Sequence, residues 1–399
     1  MTTSPTRLWF LDWVRIIAFF VLILYHVGMY YVTWDWHVKS PFASNTIEPL
    51  MLLSSPWRLG LLFLVSGVAS SLMLAKAGAA RFMGRRSVRL LVPLIFGMLV
   101  IVPPQAYLEV VEKLAYQGAY GDFMRLYLGR YAGFCKGGDC LVMPTWNHLW
   151  FVAYLWVYTL LLGGLALALG ERFDKLAGRV ASVLVGWKIV VLPVALLSVA
   201  RMSMLSRFPT THALVDDWFN HAVYLFLFLL GAMLARTPRI WPRLEQLRWH
   251  GLGLAAAGWA ALTVYYALPD TMLAAQVQIP LMHLQRIVYC LFAWSAMVAA
   301  LGFAHRHLNR DSAHRRYLAQ AVFPVYILHQ SLIVIIAHAI QPARLAPWLE
   351  APVLIVLTLC LSFAMANLAR RSALLRPLFG IAPVKADAAA RHAARPAIS

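Results

Sequence analysis

Long apolar runs recur along the chain, separated by short charged or proline- and glycine-containing segments. About ten of them are long enough, or nearly so, to cross a bilayer core that needs about 20 helical residues. They lie roughly at 9–32, 56–74, 90–107, 146–169, 180–200, 218–235, 252–268, 286–303, 317–340 and 352–368. The pattern predicts an all-α polytopic membrane bundle of about ten helices. Pro103-Pro104 interrupts the third run. Most connections are short; the exceptions are 33–55 and 103–145. The second of these holds two short amphipathic pieces, 107–116 and 123–131, suited to an outer surface or to covering a cavity.

Polar residues break the first run in a regular way. Asp12, Arg15 and His26 all fall inside it. Eleven residues separate Arg15 from His26, which is ~20° from whole turns at ~100° per residue, so both lie on one face. They are spaced ~16 Å along it, and Asp12 falls within ~60° of the same stripe. Such a seam must face protein, ligand or water, because charged and titratable side chains are costly against lipid. Asp12 and Arg15, at i and i+3, can pair and reduce the cost of burying either.

Composition agrees with the pattern. The 399 residues are 61% hydrophobic and only 13% charged, against about 25% charged in a soluble domain. The net charge of +19 is explained by topology. With a cytoplasmic N-terminus, roughly 23 Lys and Arg fall on the inner side and roughly 10 outside, as the positive-inside bias requires. An even number of spans then puts both termini in the cytoplasm. Charge spread over short loops gives no reason to expect nucleic-acid binding. The first run is too long and its seam too polar for a cleaved signal peptide. Residues 1–383 are expected to form one transmembrane domain, and 384–399, rich in Ala, Arg and Pro, a disordered cytoplasmic tail. Cys290 and Cys360 lie within spans and suit inert packing. Cys135 and Cys140 flank Lys136-Gly-Gly-Asp139 in an outer loop, where an oxidising compartment would allow a disulfide. No second ligand pair stands near them, so no metal is expected.

Chemistry concentrates at a few positions. His26, in the outer half of its span, could serve as a general base, since an imidazole near its ordinary pKa of ~6.5 can take a proton from a hydroxyl at neutral pH. Arg86 and Arg89 share a helix face at the inner mouth of the third span, and arginine forks suit phosphate. Positive-inside anchoring explains the same cluster without any ligand. Leu64-Val-Ser66-Gly67 sets a small polar step in the second span, either for close helix packing or as backbone room for a thin ligand. Asn147 and His148, among Trp146, Trp150 and Phe151, would suit a sugar, as would Arg286 on the same side. His329-Gln330-Ser331 lie at mid-depth in the ninth span and need polar partners there. They could line a central cavity or form a structural network.

Arg15 with ten residues before His26, Leu64–Gly67 in the next span, and Arg86-x-x-Arg89 before Leu-Val-Pro together resemble the membrane acyltransferase family 3. Asn147-His-Leu-Trp-Phe151 and Phe323-Pro-Val-Tyr-Ile-Leu-His329-Gln330 are similar to its later segments. The resemblance runs from Leu8 to about Leu378. It implies a ten-helix enzyme of a bacterial cytoplasmic (inner) membrane. The donor would be cytoplasmic acyl-CoA, either acetyl-CoA or succinyl-CoA, with no permanently bound cofactor. The acceptor would be a hydroxyl of an extracytoplasmic glycan or polysaccharide. The resemblance implies His26 as the catalytic histidine, Arg15 as its motif partner beside Asp12, and Arg86 and Arg89, with Ser66, as contacts for the donor. Asn147, His148, Arg286 and His329 are the expected substrate contacts. Both direct transfer and an acyl-histidine intermediate fit these residues. Some members carry an additional extracytoplasmic hydrolase-like domain; none is expected here. The rival reading is a transporter or flippase of a cell-envelope precursor, which often shows related halves or repeated broken helices. Neither is found.

Overall fold

A computed structural model describes residues 8–269 and 275–382. The expected tail at 384–399 lies outside the described residues. The ten apolar runs all carry helix. In chain order the helices are α1 (Trp9–Tyr31), a short α2 (Glu48–Ser54), α3 (Arg58–Ala77), α4 (Ala79–Phe96), α5 (Pro103–Leu114), α6 (Tyr120–Leu128) and α7 (Trp150–Leu169). Then come α8 (Glu171–Val183), α9 (Lys188–Met204), α10 (Trp218–Leu234), a short α11 (Ile240–Gln246) and α12 (Arg248–Ala267). The chain ends with α13 (Ala275–Leu308), α14 (Ala313–Ile340), α15 (Pro347–Arg371) and a one-turn α16 (Leu375–Leu378).

The protein is an all-α, multi-pass membrane bundle. Among the described residues, seven helical segments are long and apolar enough to cross a bilayer by length and composition, or eight if α8 and α9 count as one span. Two of the ten runs fall below that length and apolarity when taken singly. α10 has only 17 residues, and α12, at 20, falls short in apolar content. The fifth run is bent. α8 and α9 meet at 109°, with Gly186 at a positive φ of 55° in the turn between them. The bend separates an amphipathic α8 from the apolar, 17-residue α9.

Pro103-Pro104 does not end the third span. A π-helical turn over Gly97–Ile101 leads into α5, which takes Pro103 and Pro104 in its first turn. Proline is tolerated there because the first N–H groups of a helix have no intrahelical partner. The segment 79–114 thus stays one continuous helical stretch, and Gln105, in the first turn of α5, is fully buried.

Packing explains the small step in α3. A methyl group at Gly67 would lie 1.9 Å from the Phe228 carbonyl oxygen, and one at Gly231 would lie 2.0 Å from that of Leu64. The two glycines let α3 and α10 touch backbone to backbone. The space that could have served a thin ligand is filled by α10. Lys39 caps α1 at its C-terminal end, donating to the carbonyls of Met29 (2.7 Å) and Val32 (2.6 Å). A cation there complements the negative end of the helix dipole. Burial lowers this ammonium to about 8.

The loop between α6 and α7 holds a disulfide, Cys135–Cys140, which the sequence leaves open, closing a two-stranded hairpin of β1 (Cys135–Lys136) and β2 (Asp139–Cys140). Gly137 and Gly138 make its turn, both at positive φ, which costs glycine nothing sterically.

Candidate active site

α1 and α14 lie side by side, and their contact sets the central geometry. The polar residues of both helices meet where lipid cannot reach. His329, fully buried, donates its Nδ1–H to the Tyr326 carbonyl at 2.6 Å. A carbonyl can only accept, so the other ring nitrogen, Nε2, is left as an acceptor. That nitrogen lies 2.8 Å from His26 Nδ1, and the two rings stack at 5.0 Å with 19° between their planes. His26 therefore carries its proton on Nδ1. Its Nε2 keeps a free lone pair, and the ring borders a cavity of about 770 Å³. A backbone carbonyl thus fixes the tautomer of two imidazoles in series, and the second is oriented as a proton acceptor.

The cavity is walled by α1, α3, α7, α9, α10, α13 and α14, with aromatic rings of Tyr25, Trp150, Tyr224, Tyr289 and Tyr326. Its polar lining includes His26, Asn147, His148 and Gln330. Behind that lining is a network whose hub is Gln105. The Gln105 side-chain oxygen accepts from Asn147 at 3.2 Å and from Gln330 at 3.1 Å. Its NH₂ group donates to Ser331 Oγ at 2.5 Å and, at a longer 3.5 Å, to His148 Nδ1. The other His148 nitrogen, Nε2–H, donates to the Ile327 carbonyl at 3.0 Å. Gln330 also donates to His37 Nε2 at 2.9 Å, and His37 in turn gives its Nδ1–H to Glu109 at 2.6 Å. All four hydrogen-bonding sites of Gln105 are used, so the network is satisfied and rigid.

The rim is equally ordered. Asp217 is buried and accepts from Asn220, from Tyr154 and from the backbone N–H groups of Thr211 and His212. It thereby pins the loop before α10, with the His212 ring 4.4 Å from Trp150. Burial holds His212 below the ordinary imidazole range, against the opposing pull of Asp217.

Several residues expected in one site are divided between two. His26, Asn147 and His148 line the cavity. His329 does not; it sits behind His26 as the residue that orients it. Arg286 also lies off the cavity, its Nη1 3.5 Å from the Met202 carbonyl. Asp12 and Arg15 do pair, at 3.4 Å. The seam is more elaborate than that pair, because Asp12 also holds the buried Arg315 of α14, which is bound in turn by Asp311. Arg15 further donates to the Ala319 carbonyl at 3.2 Å. This end of α1 is a separate centre about 16 Å along the helix from His26. Arg86 and Arg89 belong to it, since the charges of Arg15 and Arg89 act on Arg86 and that of Arg15 acts on Arg89. Neither Arg86 nor Arg89 makes an ion pair among the described residues. Arg89 Nε donates to the Gly380 carbonyl at 3.2 Å, and the buried Arg86 Nε has no partner. Ser66 borders neither the cavity nor any hydrogen bond among the described residues.

Sequence reasoning missed Gln105, masked by the prolines beside it, and two cavity arginines, Arg58 and Arg201. Both arginines lie at ends of apolar runs, where they read as loop charges. Only the burial of Arg58 and of the Arg201 Nε sets them apart.

Comparison with known proteins gives a consistent match. The family model described as "Acyltransferase domain" matches residues 8–367. Glucans biosynthesis protein C of Escherichia coli O6:K15:H31 (strain 536 / UPEC) is 25% identical over 400 residues, covering 95% of each chain. The protein of the same name from Salmonella schwarzengrund (strain CVM19633) is 23% identical over 355 residues, and that from Salmonella paratyphi B (strain ATCC BAA-1250 / SPB7) is 24% identical over 358. Both alignments cover 86% of each chain. No solved structure matches.

Proposed function

Because the chain belongs to the acyltransferase family whose model spans residues 8–367, we propose that this membrane acyltransferase moves an acyl group from cytoplasmic acyl-CoA to a hydroxyl of an extracytoplasmic glycan, with His26 as the base. The enzyme would work in a bacterial inner membrane with both termini in the cytoplasm. The single observation that carries the reading is the tautomer chain from the Tyr326 carbonyl through His329 to His26. It leaves one imidazole nitrogen unprotonated beside a cavity large enough for a sugar. The glycan acceptor is favoured by two features: the aromatic and amide lining of that cavity, and the name of the relatives, glucans biosynthesis protein C.

In the proposed step, His26 Nε2 takes the proton of the acceptor hydroxyl, and the oxygen attacks the thioester carbonyl. The carbon–sulfur bond then breaks, and the proton passes from Nε2 to the departing thiolate, giving ester, free CoA and neutral imidazole. Nδ1–H stays on His329 throughout, so the ring needs no reorientation between the two proton transfers. Arg86 and Arg89, with Arg15 beside them, would hold the phosphates of the donor at the inner end. The donor's pantetheine arm, about as long as a 13-residue helical segment at ~20 Å, would span the ~16 Å between the two centres.

The test is mass spectrometry of cell-envelope glycans from cells with the protein, without it, and with His26→Ala at equal membrane abundance. An acyl mass increment present only with the unsubstituted protein is expected. An increment that survives His26→Ala removes the histidine from the mechanism, and the absence of any increment favours the transporter reading.

A further inference from the structure

The proposed base and donor site leave two charges unexplained, and both face the same cavity as His26. Arg58 is only 5% exposed, and its Nε and Nη1 have no hydrogen-bond partner. Its guanidinium carbon lies 3.3 Å from the centre of the Tyr25 ring, which is itself 5.9 Å from the His26 ring. The charge can therefore be no farther than about 9 Å from the imidazole. Arg201 lies 3.7 Å over the Tyr289 ring, and its Nε is likewise buried and unpartnered. Both guanidiniums act electrostatically on Tyr289 and on Tyr224.

The cavity offers these charges no counter-ion of its own. Asp35 is the only acidic residue in its lining, and it sits exposed at the rim, held by Lys113 at 2.9 Å. The nearby buried carboxylate, Asp217, is consumed by the loop it pins. Neither arginine makes an ion pair among the described residues. Stacking on tyrosine supplies part of the compensation, but an unpaired buried cation remains costly unless an anion completes it. Bidentate guanidinium geometry selects carboxylate and phosphate.

We propose that Arg58 and Arg201 form an anion-binding subsite in the His26 cavity, taking a carboxylate or phosphate group carried by one of the substrates. The anion has two possible sources, the free end of a carboxylate-terminated acyl chain or an anionic substituent on the acceptor. The choice between these sources rests on the acyl-transfer reading; the existence of the subsite does not.

The experiment has a binding arm and a transfer arm. Thermal unfolding of the purified full-length protein is followed with acetate, succinate and inorganic phosphate at constant ionic strength. Saturable stabilisation by succinate or phosphate is expected for the unsubstituted protein and for His26→Gln. Affinity should fall on the order of tenfold or more in Arg58→Gln and in Arg201→Gln. Arg58→Lys, which keeps the charge without the fork, covers the case in which Arg58→Gln does not fold, and should bind more weakly than the unsubstituted protein. No stabilisation by any anion, or stabilisation indifferent to all three substitutions, overturns the proposal. Because His26→Gln retains this binding, a failed base assignment is distinguishable from a failed subsite. In the transfer arm, succinyl-CoA and acetyl-CoA are compared with neutral and phosphate-bearing oligosaccharide acceptors. A loss in the arginine variants tenfold larger for succinyl than for acetyl transfer assigns the anion to the acyl chain. A loss equal for both donors but specific to the charged acceptor assigns it to the acceptor. A loss that depends on neither charge contradicts the subsite.

Discussion

Replacing His329 with phenylalanine tests the internal logic of the site. The substitution keeps a planar ring against His26, so the stacking at 5.0 Å survives in outline. It removes both the donor to the Tyr326 carbonyl at 2.6 Å and the acceptor for His26 Nδ1–H at 2.8 Å. The His26 ring then has no hydrogen bond to fix its tautomer or its rotation, because His329 is its sole hydrogen-bonding partner among the described residues. Leaving a buried donor unsatisfied costs about 1–3 kcal/mol. Expressed as misalignment of the base in the transition state, that range corresponds to a fall in kcat of about 5- to 150-fold. Loss of the base itself should cost about 10²–10⁴. Glutamine at 329 can present its oxygen to His26 and should recover most of the rate. The assay is acyl transfer by purified, membrane-reconstituted protein, with kcat and KM measured for both substrates. The expected pattern is a fall in kcat with donor KM unchanged in His329→Phe and partial recovery in His329→Gln. An unaltered kcat in His329→Phe, or a glutamine variant as poor as phenylalanine, refutes the orienting role.

Two further outcomes follow from the rest of the molecule. Arg86→Ala with Arg89→Ala should weaken acyl-CoA binding, and the loss should be larger at low salt, where surface charges are least screened; titration at two ionic strengths checks it, and unchanged affinity returns the pair to topology. Gly67→Val should reduce folded yield and lower the unfolding temperature, because its side chain would enter the Phe228 carbonyl. Overpacking of this kind typically costs about 1–3 kcal/mol, and normal stability would contradict backbone contact between α3 and α10.

The helices were legible because lipid imposes length and apolarity on every span, and that signal is one-dimensional. His26 was legible for the same reason, as a titratable group where few are tolerated. Its working partner was not. The tautomer chain depends on the Tyr326 carbonyl, and a backbone atom leaves no mark in residue identity. His329 therefore read as a cavity-lining residue when it is the support behind one. The α8–α9 bend was missed because apolar content runs on through Gly186, while the reversal is a matter of backbone angle. Gln105 hid beside two prolines that read as a break, although they start α5. Arg58 and Arg201 were absorbed into the count of loop charges, since position along a span does not reveal which way an arginine turns. Arg15 was placed on the correct face of α1, and its pairing with Asp12 was anticipated. The buried Arg315 that shares that carboxylate comes from a helix some 300 residues away in sequence, beyond the reach of any local pattern.

The central claim is that His26 Nε2 receives the acceptor's proton while Nδ1 stays bound to His329. The most direct measurement is acceptor-dependent release of CoA by reconstituted protein, comparing the unsubstituted chain with His26→Gln under conditions where both bind acyl-CoA equally. The account predicts release by the former and a fall of at least a hundredfold in the latter. Turnover in His26→Gln within a few-fold of the unsubstituted protein would contradict it.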